Sequence, residues 1–387
     1  MITPIESVVG FFVNQSFTAI FSSANPISFN NALALLLVFF PLYSTTPAEK
    51  IWGRLSEIEK ISQIFLVNVE GNETFYPVEF LEDGAAVVPG GIILFSYNIG
   101  DSKEQLKNYI SSINAFYKKN KSPLPFIAVD QEGGEVNRLK KITSHLPSEK
   151  IISVNYTLQE AKSIYSNQAV QMKELGVTMN LAPVAEAEIE SNKLFLGTRT
   201  FGSVPKSVAY SMVCVRAYEE NGIASVAKHF PGNANSDPHT GSVEITLSSS
   251  EVFKNFIFPF ALILKSNPSC VLVSHAKINS LDENPACMSS FWIKEILQSR
   301  LGFEGLVMSD DIFMGAISDS PPEQVAANAI ISGVDVIMLS EKKFLSVAKS
   351  LLNLAADDKF FATRLCEAEK KVLDFKLKKR IIKIEEN

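Results

Sequence analysis

From about residue 60 onward, short apolar runs rich in β-branched residues alternate with longer stretches in which apolar side chains recur at helical spacing. The runs are Ile64–Val69, Gly91–Ser96, Phe126–Asp130, Thr178–Val184, Ser225–Phe230, Cys270–His275, Leu306–Asp311 and Val334–Leu339. Helical spacing falls between them at Lys103–Tyr117, Leu158–Leu175, Val204–Asn221, Ser249–Lys265, Ser289–Arg300 and Pro322–Ser332. Eight strand–helix units in roughly 300 residues predict an α/β fold, a single-domain (β/α)8 TIM barrel over residues 55–380. An open doubly wound sheet is the competing arrangement, but the G-x-G-x-x-G turn that would support it is absent from the sequence.

The first 48 residues follow a different rule. They contain no Lys or Arg, and Glu6 is their only formal charge. Within them Ala32–Tyr43 is almost wholly apolar, shorter than the roughly 20 residues a membrane-spanning helix needs. The run suits the apolar region of an export signal, although no basic segment precedes it and no A-x-A site follows. Residues 1–48 are therefore expected to be a signal, an anchor or a disordered extension. Export or envelope anchoring, with membrane association through this segment, is favoured over a cytoplasmic location.

Composition narrows the partners. The 387 residues carry a net charge of -6, which argues against a nucleic-acid partner, since such proteins concentrate basic surface. The one dense basic run, Lys376–Arg380, reads as a solvated helix end. Cys214, Cys270, Cys287 and Cys366 are too far apart for a zinc or redox motif, and Cys214 and Cys270 lie in apolar runs as buried thiols would. A monomer is expected.

The polar residues point to a site. Barrel strands are buried on both faces, so a charge inside or just past one needs a reason. Here charges gather at C-terminal strand ends: Asp130, Glu186, Lys228 with His229, His275, and Asp310 with Asp311. That is the end where barrel enzymes build their active sites. Helix capping would account for one such residue, but not for five strand ends.

Three motifs carry the chemistry. In FIAVDQEGGEVNRL (Phe126–Leu139), Asp130 and Arg138 supply an acceptor and a fork of donors suited to sugar hydroxyls, or form a structural ion pair. In AKHFPGNANSDPHTG (Ala227–Gly241), Lys228 and His229 end a strand, and Asp237 with His239 forms a pair in which a carboxylate can orient an imidazole for acid/base work. A zinc set of His229, His239 and Asp237 lacks the usual helical H-x-x-x-H geometry, so no metal and no cofactor are expected. In GLVMSDDIFMGA (Gly305–Ala316), Asp310 follows a buried strand and is placed to attack an anomeric carbon. Adjacent carboxylates on an extended strand end diverge, so Asp311 is expected to cap or support rather than to reach the pocket.

DQEGGEVNRL, KHFPG followed by D-x-H, and SDDIFMGA, in this order, resemble glycoside hydrolase family 3, specifically its bacterial β-N-acetylglucosaminidase branch. Shorter matches (GGIILFSYNI, NLAPV, RTFG, SHAKINSLDENPACMSS, SGVDVIML) extend the likeness from about residue 60 to about 378. The resemblance implies that Asp310 is the catalytic nucleophile and that Asp237 with His239 is the acid/base dyad. It further implies that Asp130, Arg138, Arg199, Lys228 and His229 bind the terminal sugar. The implied activity is that of a retaining exo-β-N-acetylglucosaminidase acting on peptidoglycan fragments or related glycans. The alternatives are a non-catalytic envelope sugar-binding barrel, a β-glucosidase or a GlcNAc phosphorylase. Three positions depart from the family pattern: Gly232-Asn233-Ala234 replaces G-H-G, Glu135 stands where Arg is common, and Glu186 stands where Asp is usual. The loop around Gly232, flanked by small polar residues, is expected to pack loosely and to move.

Overall fold

The computed structural model describes residues 45–383. The apolar run Ala32–Tyr43 lies outside them. Among the described residues no helix is long and apolar enough to cross a membrane.

Eight parallel strands close into a barrel: β1 (Phe65–Asn68), β2 (Gly91–Leu94), β3 (Phe126–Val129), β4 (Met179–Asn180), β5 (Ala224–Phe230), β6 (Cys270–Val273), β7 (Leu306–Asp311) and β8 (Val336–Leu339). Each pairs with its neighbours in sequence, and β1 closes the ring by pairing with both β2 and β8 (Leu66 with Gly91, Phe65 with Ile337). All eight predicted runs are strands or contain one, and β4 is the shortest. The chain there leaves regular pairing after Asn180 and returns as an isolated bridge between Val184 and Lys228. Apart from the polar ends of β5 and β7, the strands are mostly apolar and buried on both faces, as helices covering a parallel barrel require.

The predicted helices form: α1 (Lys103–Lys119), α2 (Leu158–Leu175), α3 (Val204–Glu220) and α4 (Pro322–Ser332). Local signals set their ends. Thr157 and Glu160 make a reciprocal capping box at the start of α2, and Gly176 closes it in the left-handed conformation at φ 92°. The predicted Ser249–Lys265 helix is one helical stretch with a wider five-residue π segment, Phe253–Ile257, inside it. Phe291–Arg300 is π-helical as well. Two further helices, α5 (Leu345–Asp357) and α6 (Lys359–Lys378), complete the outer ring.

The end of α6 corrects one expectation. Lys376 is not solvated: it is fully buried, and its Nζ donates to Gln63 Oε1 at 2.7 Å. Burial pushes its pKa down to about 7. The basic run straddles the seam between α6 and the helix before β1, so one of its lysines faces inward.

Candidate active site

Asp130 directly follows β3. The chain then folds back as a small antiparallel ribbon, Gln131–Gly133 against Val136–Asn137. The buried Gln131 side chain pins it, with Nε2 donating to Asn137 Oδ1 at 2.8 Å and Oε1 accepting from the Leu139 N–H at 2.9 Å. This fold-back brings Glu132 and Arg138 to the same cleft as Asp130.

Lys228 and His229 both line that cleft, although adjacent strand residues ordinarily point to opposite faces. A bulge explains it. Ala227 and Phe230 of β5 pair with Val271 and Val273 of β6, so one extra residue is accommodated at Lys228–His229. An equivalent irregularity separates Met308 and Asp311 of β7 from Val336 and Met338 of β8. It brings Asp310 and Asp311 both to the rim of the cleft, and Asp311 serves there as a cap. Their carboxylates are used differently. Asp311 Oδ1 accepts from the N–H groups of Phe313 and Ser340, both at 3.1 Å, while Asp310 Oδ1 accepts the Asp311 N–H at 2.9 Å.

Glu132, which sequence reasoning passed over, is the hub of one wall. It is 2% exposed and takes Arg199 in a two-point contact, Nε at 2.8 Å and Nη2 at 3.1 Å. Lys228 Nζ lies 2.7 Å from both Glu132 Oε1 and Asp130 Oδ1. Burial alone would raise the Glu132 pKa, but Lys228 and Arg199 outweigh it and hold it at about 2. Burial likewise opposes the charge on Lys228, and Asp130 with Glu132 more than restores it. Two cations and two carboxylates thus form a charge-balanced wall. Arg138 lines the cleft without a carboxylate partner among the described residues.

A second buried carboxylate, Glu186, holds the next element. Its Oε1 lies 2.7 Å from His229 Nδ1, and its Oε2 accepts the Asn233 N–H at 2.6 Å. Asn233 Nδ2 adds a 3.1 Å bond to Oε1. Two positions that depart from the family pattern therefore bond to each other. The loop root is also better packed than the sequence implied: Asn233 and Ala234 are buried, and a Cβ on Gly232 would stand 2.6 Å from the Phe256 ring. Exposure begins at Asn235.

Beyond it, Asp237 Oδ1 lies 2.7 Å from His239 Nδ1 and accepts the His239 N–H at 2.9 Å. The backbone and ring hydrogen bonds from His239 hold the Asp237 carboxyl below the usual carboxylate range. Asp310 lines the same cleft as His239. Burial opposes its charge, but His275, His229 and the Asp311 N–H outweigh burial and keep its carboxyl below the usual range. His275 supports β7 from behind, with Nε2 2.9 Å from the Asp311 carbonyl and Nδ1 3.0 Å from Cys287 Sγ.

The structure thus gathers Asp130, Arg138, Arg199, Lys228, His229, His239 and Asp310 around one cleft of about 220 Å³, with Asp237 bound to His239. Apolar side chains share the lining: Ile93, Phe95 and Met314 from within the quoted motifs, and Phe195 from outside them. Among the described residues no group of three or more His, Cys, Asp and Glu is arranged to hold a metal.

A parallel barrel that gathers a charge-balanced polar wall and the half-buried Asp310 carboxylate at the C-terminal ends of its strands has the layout of a barrel-enzyme site suited to a polar, hydroxyl-rich ligand. Residues 58–375 match the family described as Glycosyl hydrolase family 3 N terminal domain, and the chain belongs to glycoside hydrolase family 3. It is 31% identical over 236 residues to a protein named Beta-hexosaminidase from Nitrosomonas eutropha, covering 59% of this chain and 66% of that relative. It is 34% identical over 282 residues to another Beta-hexosaminidase, from Psychromonas ingrahamii, covering 70% of this chain and 81% of the relative. The fold is shared with a glycoside hydrolase family 3 β-N-acetylglucosaminidase from Paenibacillus sp., at a TM-score of 0.74 and 22% identity, over 86% of this chain and 65% of that one.

Proposed function

We propose that the chain is a retaining exo-β-N-acetylglucosaminidase that removes terminal β-linked N-acetylglucosamine, with peptidoglycan fragments as its natural substrates. The names of its relatives support the sugar. The observation that supports the mechanism is the pairing of Asp310, one carboxylate oxygen fixed by the Asp311 N–H, with a His239–Asp237 dyad on the same cleft.

In the first step an Asp310 oxygen attacks the anomeric carbon while His239, as imidazolium, protonates the departing glycosidic oxygen. In the second, neutral His239 takes a proton from water, which attacks the anomeric carbon and returns the bonding pair to the Asp310 carboxylate. Asp237 fixes the His239 ring through Nδ1, leaving Nε2 for proton transfer. Asp130, Lys228, Arg199, Arg138 and His229 hold the sugar hydroxyls. Phosphorolysis is a second reading, favoured by Arg138, the cleft cation without a carboxylate partner.

The test is release from matched aryl β-N-acetylglucosaminide and aryl β-glucoside, with and without phosphate, by the native chain and Asp310→Ala. Release from the acetamido substrate alone, abolished in the variant, is expected. Near-native turnover by Asp310→Ala sinks the assignment of the nucleophile, and phosphate dependence makes the enzyme a phosphorylase. A bound but uncleaved oligomer makes it a binding protein.

A further inference from the structure

The exposed dyad raises a question of position. Asp237 and His239 are 52% and 69% exposed, so core packing does not hold them in place. The stretch that carries them is tied down on either side. Asn235 Oδ1 accepts the Leu194 N–H at 2.8 Å, and Asn235 Nδ2 donates to the Glu190 carbonyl at 3.0 Å. Beyond the dyad, Ile245 N–H donates to the Lys277 carbonyl and Lys277 N–H to the Val243 carbonyl, both at 2.8 Å. Between these anchors the loop meets the turn that follows the nucleophile. The Ala316 N–H donates to the Pro238 carbonyl at 2.9 Å. Beside it, a Cβ on Gly315 would stand 2.6 Å from the His239 carbonyl oxygen and 3.1 Å from the carbonyl carbons of His239 and Thr240.

Gly315 does not sit in the left-handed region, so its backbone suits any residue; what the site lacks is room. The crowding atoms are backbone, which cannot swing aside as a side chain would. The turn itself is fixed from the nucleophile's side: Asp311 accepts the Phe313 and Ser340 N–H groups, and the Met314 N–H donates to the Asp311 carbonyl at 3.1 Å. From this geometry we infer that Gly315 is a positioning residue, the seat on which the loop bearing Asp237 and His239 rests, so that the nucleophile's own turn sets the distance from the acid/base group to Asp310. The inference rests on the proposed acid/base role of His239.

Leaving-group dependence separates this role from a structural one. An aryl β-N-acetylglucosaminide with a dinitrophenolate leaving group needs no proton to depart, whereas an alkyl or sugar leaving group does. Gly315→Ala is expected to keep kcat/KM within about threefold of native on the activated substrate and to lose at least about tenfold on the poor one. Its slowed second step should be relieved by azide. Azide attacks the anomeric carbon of the Asp310 glycosyl ester, the ester bond breaks with its electron pair returning to the carboxylate, and a β-glycosyl azide leaves. Ala316→Pro removes the bond to Pro238 without adding a Cβ at 315, and should give the same signature.

Gly241→Ala, in the same loop but with nothing within 4 Å of its Cβ position, should behave as native on both substrates. His239→Ala is measured alongside. If His239→Ala shows the leaving-group signature and azide relief while Gly315→Ala and Ala316→Pro lose both substrates equally or neither, the inference is overturned and the acid/base reading stands. If His239→Ala lacks the signature, the acid/base reading fails and takes the inference with it. Activity of Gly315→Ala on the dinitrophenyl substrate also reports that it has folded.

Discussion

The two walls of the cleft are built on opposite terms. On one, Glu132, Lys228, Glu186 and His229 are buried, and each carboxylate bonds to at least two donors. On the other, the Asp237–His239 pair is mostly exposed and hangs from a loop anchored at Asn235 and at Val243–Ile245. A group that recognises a neutral sugar gains from being fixed in place before the substrate arrives, because its dipoles then need no reorganisation. A proton donor that must meet different leaving groups has less to gain from rigidity. The buried wall is therefore tied to the stability of the fold, while the exposed dyad is held by a few hydrogen bonds and one close backbone contact between loops.

Substitutions should split along this line. Glu132→Ala leaves Lys228 and Arg199 buried with Asp130 as the remaining carboxylate of the cluster, and should destabilise the protein by about 3–5 kcal/mol in denaturant titration. A loss below about 1 kcal/mol would mean the wall is wetter than its burial implies. The same carboxyl governs acid stability. Its folded pKa of about 2 lies below the ordinary 4.5, so its contribution is complete above pH 4.5 and drains away as pH falls towards 2. Thermal midpoints across that window should fall in the native protein and fall less in Glu132→Gln. At the dyad the balance reverses. Asp237→Ala should slow hydrolysis of poor leaving groups by about a hundredfold while changing stability by less than about 1 kcal/mol. A large loss of stability there would erase the contrast between the walls.

The smallest effect is expected far from the cleft, at Lys376. Its folded pKa of about 7 lies below the ordinary 10.5, so the unfolded chain binds the extra proton between those values. Native stability should therefore rise with pH from about 7 to about 10.5, and Lys376→Met should flatten that rise while gaining about 1–2 kcal/mol at neutral pH. No change in the pH dependence would show that Lys376 reaches water.

The barrel was legible because its signal is local and repeated. Eight apolar runs separated by helical spacing leave few other ways to bury so much surface, and all eight became strands or contained one. Asp130, Lys228, His229 and Asp310 were legible for a related reason, since charges at buried strand ends have to be explained by a site, whereas Arg138 and His239 came from motif spacing and Arg199 only from the family resemblance. The roles of Glu132 and Glu186 were not. Glu132 reads as one more residue within its motif and Glu186 as a strand-end charge of unstated use, and the importance of each comes from partners far along the chain: Glu132 with Arg199 and Lys228, Glu186 with His229 and Asn233. The burial of Lys376 was hidden likewise, because its partner Gln63 is 313 residues away.

By itself, then, the sequence determined the order of strands and helices and which chemical groups stand at the strand ends, because propensity, periodicity and burial on two faces act over a few residues at a time. Only the tertiary structure decided which of those groups face one another. The bulges that turn Lys228 with His229 and Asp310 with Asp311 into one cleft arise from register against β6 and β8, and the fit of Gly315 beneath His239 arises from two loops meeting. Both depend on distances between segments remote in the chain, which closing the barrel fixes and no local pattern encodes.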